Sequence, residues 1–273
     1  MLMDSNLDAI AEITASVLSK KKYRHIHPDL IRSLAGSELE KGRGKKETLK
    51  AVTGKLHQVG AAYFPSRPDY SSWLSDLQHL PANLDSPEVK SFCREVMENH
   101  HSTRERLLIL EAFFNKALSP IAPVKSILDL ACGLNPLALP WMPAAGDVRY
   151  SGCDIFSDMV GFLTGFAKHF SIDADFSVCN LLEANFTGEF QVAFLLKTLP
   201  CLEQLQADFS GRLLDAVPAE YLLISFPVRS LSGRPKGMRE SYASRFEEMM
   251  NRRSWEFNKY EFFDELAYLV KKK

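Results

Sequence analysis

The sequence predicts an α/β protein in which a helical opening segment precedes a mostly parallel, doubly wound sheet. Apolar residues recur at helical spacing before residue 100, and short apolar runs alternate with helical segments after Pro123. Two strand-like runs close the chain. A parallel sheet of this kind places its functional site at the carboxyl ends of its strands.

Residues 1–99 are predicted to form an all-helical N-terminal domain. Apolar residues between Leu7 and Leu18 fall on one face of a helix, and Pro28 suits the first turn of a second helix. Positive charges then dominate a basic stretch, with Glu47 as its acidic residue: Lys41, Arg43, Lys45, Lys46, Lys50 and Lys55. Such a stretch is typical of a phosphate-binding surface and equally of a solvated helix face, and the pattern leaves both interpretations open.

Residues 100–273 are predicted to form the second domain. Ser102 and Glu105 have the spacing of a capping box that would begin a helix. Arg106, which follows them at the start of an apolar helix, has the planar fork that binds carboxylates.

Five short segments read as strands of the parallel sheet, and the last two segments read as an antiparallel hairpin that turns at Asp264. Between them, residues 157–170 and 202–217 are predicted to be helices. The strand segments are 126–130, 148–153, 175–179, 191–196 and 221–226, and the hairpin comprises 255–263 and 265–270.

The first predicted strand leads into Asp129, Ala131, Cys132 and Gly133, a turn with a single glycine. A pyrophosphate-binding loop requires more glycines, so the turn favours a cofactor without phosphates. Polar residues also end the next two strands. Asp154 is placed to accept the ribose hydroxyls of an adenosine, and Asn180 to bond an adenine edge.

These features indicate S-adenosylmethionine as the cofactor. Each polar residue taken alone is explained equally well as a helix or turn cap.

Composition excludes several classes of protein. The net charge of −1 gives no global nucleic-acid signal, and the five scattered cysteines lack the spacing of a zinc site, which favours reduced thiols. We expect no metal. Neither a signal peptide nor a membrane-spanning run is recognisable, so the protein is expected to be cytoplasmic.

Several blocks of sequence, in order and spacing, resemble the aminoglycoside-resistance 16S rRNA (guanine(1405)-N(7))-methyltransferases of the Arm/Rmt type. The resemblance runs from about residue 20 to the C-terminus. The blocks are Lys-Leu-His-Gln at 55–58, His-His-Ser-Thr-Arg-Glu-Arg at 100–106, Cys-Gly-Leu-Asn-Pro-Leu-Ala-Leu-Pro at 132–140, and residues 194–200, 224–233 and 237–242.

The resemblance implies a class I S-adenosylmethionine-dependent methyltransferase, with a Rossmann-like, mostly parallel seven-stranded sheet and an all-helical N-terminal domain. It implies methylation of guanine N7 at the decoding site of 16S rRNA in the 30S subunit, and hence aminoglycoside resistance. Residues 1–99 would dock on the ribosome, and residues 100–273 would bind the cofactor. Ala131 departs from the family, where glycine is frequent.

The resemblance assigns Arg106 to the methionine carboxylate, Gly133 to the turn beneath it, Asp154 to the ribose, and Asn180 with Leu181 to the adenine. Strand-end positions and family blocks together give the predicted cofactor set: His100, Ser102, Arg106, Asp129, Ala131, Gly133, Asp154, Ile155, Asn180, Leu181 and Lys197. Basic and aromatic positions give the predicted RNA set: Lys45, Lys46, Lys50, Lys55, His57, Phe226, Arg229, Arg234, Lys236 and Arg239.

The implied chemistry needs little from the protein. Guanine N7 carries a lone pair and no proton, so positioning and desolvation should supply most of the rate, and no catalytic acid, base or nucleophile is expected. The base must leave its stack, and Phe226 is the first candidate for an aromatic platform, ahead of Phe64 and Tyr242. Cys201 follows a proline as a nucleophile might, yet its apolar setting favours packing.

Two alternatives stay open at this point. The chain could methylate another RNA or a small molecule, or it could be a catalytically dead protein that masks the decoding site.

Overall fold

The computed structural model describes residues 2–64, 66, 68–228 and 237–273. Its α-helices are α1 (Leu2–Leu18), α2 (Pro28–Glu40), α3 (Lys45–Val59), α4 (Tyr70–Leu77), α5 (Pro87–Met97), α6 (His101–Arg106), α7 (Leu110–Leu118), α8 (Ser157–His169), α9 (Leu199–Leu205), α10 (Phe209–Ala216) and α11 (Met238–Arg253). Its strands are β1 (Val124–Leu130), β2 (Ala144–Asp154), β3 (Ala174–Val178), β4 (Phe190–Leu196), β5 (Ala219–Pro227), β6 (Glu256–Glu261) and β7 (Glu265–Lys271).

The strands form one seven-stranded sheet in the order β3-β2-β1-β4-β5-β7-β6. Strands β1 to β5 run parallel, whereas β7 pairs antiparallel with β5 and β6 pairs antiparallel with β7. The chain order reverses at the β1/β4 boundary, and such a switch point opens a crevice at the carboxyl ends of the strands. The predicted fold class and the terminal hairpin are therefore confirmed.

Alternate residues of each central strand enter two different hydrophobic clusters, because successive strand side chains point to opposite faces. Ile127 of β1 and Phe194 of β4 belong to one cluster, and Leu128 and Ala193 belong to the other. Both faces of the sheet are thus covered, as parallel sheets require.

The N-terminal helices share the first of these clusters with the sheet. Ile13 of α1, Leu30 of α2 and Val52 of α3 are buried in the same cluster as Phe162 of α8. A bridge between Ile26 and Phe156 also joins the two parts of the chain. The division at residues 99 and 100 stays a prediction.

Local sequence signals explain several helix starts. Helix α2 begins at Pro28 as predicted, and α5 begins at Pro87 after Ser86, whose hydroxyl accepts a hydrogen bond from Val89 N at 3.2 Å. The predicted helix over 202–217 is instead two helices, because Asp208 adopts a left-handed conformation with φ +58°.

The predicted capping box at Ser102 and Glu105 is wrong. Helix α6 begins two residues earlier, with His100 in place of Ser102 at its N-cap and no side-chain cap. The Glu105 carboxylate turns instead toward Lys197 and His101, at 2.5 and 3.0 Å.

A search of the described residues finds no helix that is both long enough and apolar enough to cross a membrane.

Candidate cofactor and substrate site

A cavity lies where β1, β2, β3 and β4 end, as the sheet topology predicts. It contains about 780 Å³ of space that no protein atom occupies, part of it open to solvent. All the predicted cofactor residues except Arg106 and Asp129 line this cofactor cavity: His100, Ser102, Ala131, Gly133, Asp154, Ile155, Asn180, Leu181 and Lys197.

The turn after β1 has two residues in the left-handed region, Ala131 with φ +56° and Gly133 with φ +52°. A Cβ at Gly133 would lie 3.0 Å from the His100 ring, so this position needs glycine for both conformation and space. Ala131 departs from a frequent family glycine and pays for its Cβ in local strain, which typically costs about 1–2 kcal/mol.

Asp154, at the end of β2, holds the turn in place. Its Oδ2 accepts a hydrogen bond from Gly133 N at 2.9 Å, and its Oδ1 accepts one from Ile155 N at 2.7 Å. Burial raises the pKa of the Asp154 carboxyl to about 6, although these backbone donors oppose the change. Its oxygens retain lone pairs that could accept two hydroxyl groups.

Asn180 follows β3 on the same side of the cavity. Its Oδ1 accepts a hydrogen bond from Leu182 N at 3.1 Å, which fixes the amide. The Nδ2 group is buried and, among the described residues, has no hydrogen-bond partner. A buried donor without a partner is costly, and a ligand acceptor such as an adenine ring nitrogen would satisfy it.

Arg106 lies behind this cavity in a buried ion pair that sequence reasoning missed. Its Nε and Nη2 donate to the two oxygens of Glu265 at 3.1 and 2.6 Å, and its Nη1 donates to Asn135 Oδ1 at 2.8 Å. Burial would raise the pKa of Glu265, but the charges of Arg106 and Lys197 reverse this and lower it. The sequence feature that could have indicated this ion pair is Glu265 itself, a glutamate directly before the apolar residues of β7.

Asp129 is also buried behind the cavity, where its Oδ2 accepts a hydrogen bond from the Tyr150 hydroxyl at 2.7 Å. Burial raises the pKa of Asp129 to about 7, against the opposing effects of Tyr150 and Arg106. Its contribution to a ligand would be indirect, through the turn that follows β1.

A second cavity adjoins the first, and we call it the substrate cavity. Three residues, Tyr63, Lys197 and Cys201, line both. Lys197 has a left-handed backbone with φ +60°, and its Nζ lies between Glu105 Oε2 at 2.5 Å and Glu265 Oε2 at 3.7 Å. The substrate cavity is further lined by His57, Gln58, Ala62, His101, Glu105, Pro200, Gln204, Pro227, Met238 and Tyr242.

The Cys201 thiol lies 3.0 Å from the Tyr63 hydroxyl. Burial raises the pKa of this thiol, so it is protonated at neutral pH. The sequence interpretation of Cys201 as a packing residue agrees with this setting.

Some of the predicted RNA residues are already bound to other groups of the protein. The Nζ group of Lys55 pairs with Glu38 at 3.0 Å and donates a hydrogen bond to Leu205 O at 3.1 Å. Arg239 likewise pairs with Glu261 and donates to Phe262 O, which holds the β6/β7 hairpin.

Other charges of the basic stretch are also neutralised, since Lys41 and Arg43 pair with Glu38, and Lys45 pairs with Glu12. Lys46 and Lys50 are exposed and, within the described residues, form no ion pair.

The remaining members of the RNA set have mixed positions. His57 lines the substrate cavity and accepts a hydrogen bond from Lys22 Nζ at 3.0 Å. Phe226 is 5% exposed and stacks on Tyr242, with ring centroids 5.1 Å apart. Tyr242 is the ring of this pair that lines the substrate cavity, and Phe226 does not line it. Arg229, Arg234 and Lys236 lie outside the described residues.

Comparisons with known proteins agree with this geometry. The family model described as "Ribosomal RNA methyltransferase (FmrO)" matches residues 19–269. A 16S rRNA (guanine(1405)-N(7))-methyltransferase of Micromonospora echinospora is 32% identical over 97% of each chain. Another of Serratia marcescens is 33% identical over 96% of this chain and 98% of its own.

Solved structures are similar over the same length. The 16S rRNA methyltransferase RmtF, in complex with S-adenosyl-L-homocysteine, superposes with a TM-score of 0.81 at 29% identity, covering 97% of this chain and 98% of its own. The family match, the full-length relatives and the shared fold lead to one conclusion: this chain belongs to the FmrO family of ribosomal RNA methyltransferases.

Proposed function

We propose that the protein transfers a methyl group from S-adenosylmethionine to guanine N7 at the decoding site of 16S rRNA. It does so within the 30S subunit, in the cytoplasm, and thereby confers aminoglycoside resistance. Two observations carry this proposal. The chain is similar over nearly its whole length to relatives with that named activity, and two cavities meet at Lys197.

The cofactor cavity fits an adenosyl group by its donors and acceptors. Asp154 accepts the ribose hydroxyls, the Nδ2 group of Asn180 donates to the adenine, and Leu181 packs against the ring. Gly133 allows the backbone to approach the methionine portion. When bound, S-adenosylmethionine supplies an electrophilic methyl group on a sulfonium.

Arg106 is proposed to bind the methionine carboxylate with the guanidinium N–H groups that Glu265 and Asn135 leave unused. Glu265 orients that fork, and the buried pair offsets the cost of holding the charge near the cofactor.

The reaction needs no proton transfer, because the N7 lone pair attacks directly. The protein therefore contributes alignment and exclusion of water, and the protonated Cys201 and the paired Glu105 have no step to perform as nucleophile or base. The transferred positive charge ends on the guanine ring.

Residues 1–99 are proposed to dock on the small subunit, and residues 100–273 to bind the cofactor. Tyr63, from the first of these parts, also lines both cavities. Lys46 and Lys50 are the members of the basic stretch best placed to contact phosphates, since their charges are not paired within the described residues. Arg229, Arg234 and Lys236, which lie outside the described residues, are proposed as further RNA contacts.

The test is methylation of purified 30S subunits with radiolabelled S-adenosylmethionine, followed by mass spectrometry of the decoding-site RNA. A new methyl group on N7 of the target guanosine supports the proposal, and its absence refutes it. Turnover of free small molecules without turnover of subunits would select a different substrate class.

A catalytically dead masking protein is distinguished by Asp154→Ala in a susceptible bacterium. Enzymatic resistance should disappear with this variant, whereas resistance by masking should persist.

A further inference from the structure

The substrate cavity holds an ion pair whose polarity matches one edge of guanine. Glu105 Oε2 lies 2.5 Å from Lys197 Nζ, and the two side chains approach from different parts of the chain, α6 and the end of β4. Among the described residues that line this cavity, Glu105 is the only carboxylate and Lys197 the only amine.

Guanine presents an acceptor, O6, directly beside a donor, N1–H, followed by the 2-amino group. Adenine presents the opposite order, a 6-amino donor beside an acceptor at N1. An ammonium beside a carboxylate therefore complements guanine and opposes adenine. Enzymes that take a base out of its stack read it through such hydrogen bonds to its Watson–Crick edge.

We propose that the Glu105–Lys197 pair is the base-reading element of the enzyme, with Lys197 donating to guanine O6 and Glu105 accepting from N1–H and the 2-amino group. This inference rests on the proposed function and adds to it the residues that select guanine.

The position of Lys197 between the two cavities explains which ring atom would react. N7 neighbours O6 on the side of the ring opposite to N1. A guanine with O6 at Lys197 and N1–H at Glu105 therefore turns N7 toward the cofactor cavity, which Lys197 also lines. One ion pair thus sets both base identity and the atom that is methylated.

The pair is held rigidly enough for this role. Lys197 is 4% exposed, its backbone N–H donates to Ser225 O at 3.0 Å, and its Nζ lies 3.4 Å from Ser102 O. His101 Nε2 lies 3.0 Å from the other Glu105 oxygen. Fixed charges of this kind discriminate strongly, because the wrong base leaves buried polar groups unpaired.

The test compares 30S subunits that carry guanosine or inosine at the target position, since inosine lacks only the 2-amino group. The wild-type enzyme should methylate inosine roughly tenfold more slowly, the effect of losing one hydrogen bond to a charged group. Glu105→Met removes the acceptor, so its guanosine-to-inosine rate ratio should fall to about one. Glu105→Gln keeps one acceptor and should give an intermediate ratio.

Glu248→Met is the control for the substitution itself, because Glu248 pairs with Arg252 at 2.5 Å on the exposed surface of α11, outside the substrate cavity. It should keep the wild-type ratio. Calorimetry should show that Glu105→Met still binds S-adenosylmethionine.

An unchanged ratio in both Glu105 variants, or loss of cofactor binding in Glu105→Met, overturns the assignment while leaving the methyltransferase activity standing. If the wild-type enzyme leaves guanosine-bearing subunits unmodified, the proposed function fails and this inference fails with it.

Discussion

Removal of the Arg106 side chain should destabilise the whole fold as well as affect cofactor binding. Arg106→Ala deletes three hydrogen bonds and leaves Glu265, which is 1% exposed, as a buried carboxylate with Lys197 at 3.7 Å as its remaining ionic neighbour. Breaking one side of a buried ion pair typically costs about 3–5 kcal/mol.

Such a loss is a large fraction of the roughly 5–15 kcal/mol that stabilises a typical domain. It corresponds to a fall in Tm of roughly 6–20 °C for a chain of this size. Urea denaturation with fluorescence detection, run beside differential scanning calorimetry, measures both quantities. The double variant Arg106→Met/Glu265→Gln removes both charges, so it should lose less than the sum of the single variants.

The pair also predicts a pH dependence. The pKa of Glu265 is lowered in the folded protein, so the unfolded state binds the proton more readily in acid. The contribution of Glu265 to stability is therefore present above its ordinary pKa and is lost as pH falls through the lowered folded value. If Arg106→Ala loses less than about 1 kcal/mol and keeps the wild-type acid response, the reasoning about the pair is refuted.

Four further outcomes are expected. Gly133→Ala should weaken S-adenosylmethionine binding in calorimetry by tenfold or more, because its Cβ would meet the His100 ring at 3.0 Å; unchanged affinity would contradict this. Ala131→Gly should raise the free energy of unfolding by up to about 1 kcal/mol in urea denaturation, because φ +56° is unstrained for glycine. A clear fall in that free energy would show instead that the alanine methyl group makes stabilising contacts. The affinity of the wild-type protein for S-adenosylmethionine should fall below about pH 6, because protonation removes acceptor capacity from Asp154. Asp154→Asn should bind the cofactor weakly at every pH. A wild-type affinity that does not change with pH would argue against the ribose contact. In filter binding, the double variant Lys46→Gln/Lys50→Gln should lower the affinity for 30S subunits and reduce the slope of that affinity against salt concentration. The control Lys41→Gln, which breaks an internal ion pair with Glu38, should change the slope less.

Much of the site was predictable because parallel strands end at a common edge. Asp154 and Asn180 each follow an apolar strand in the sequence, and pairing of β1, β2 and β3 brings them to one cavity. The same logic predicted the five parallel strands and the terminal hairpin. The single-glycine turn and the polar strand ends indicated the cofactor, and the family blocks then indicated the target base.

Local patterns were less reliable wherever a side chain had a distant partner. Ser102 and Glu105 have capping-box spacing, yet Glu105 lies within an ion pair's distance of Lys197, 92 positions away. The predicted helix over 202–217 also broke at Asp208, where a left-handed residue starts a new helix.

The sequence by itself determined the order of helices and strands, the polar strand ends and the excess of positive charge before residue 60. The tertiary structure alone decided which charges remain available to a ligand, because an ion pair depends on packing and not on spacing. In the folded protein, Arg106 forms an ion pair with Glu265, 159 positions away. Lys55 likewise pairs with Glu38 and donates a hydrogen bond to Leu205 O. The tertiary structure also left the Lys197–Glu105 pair facing a cavity, where a charge pair can select a base.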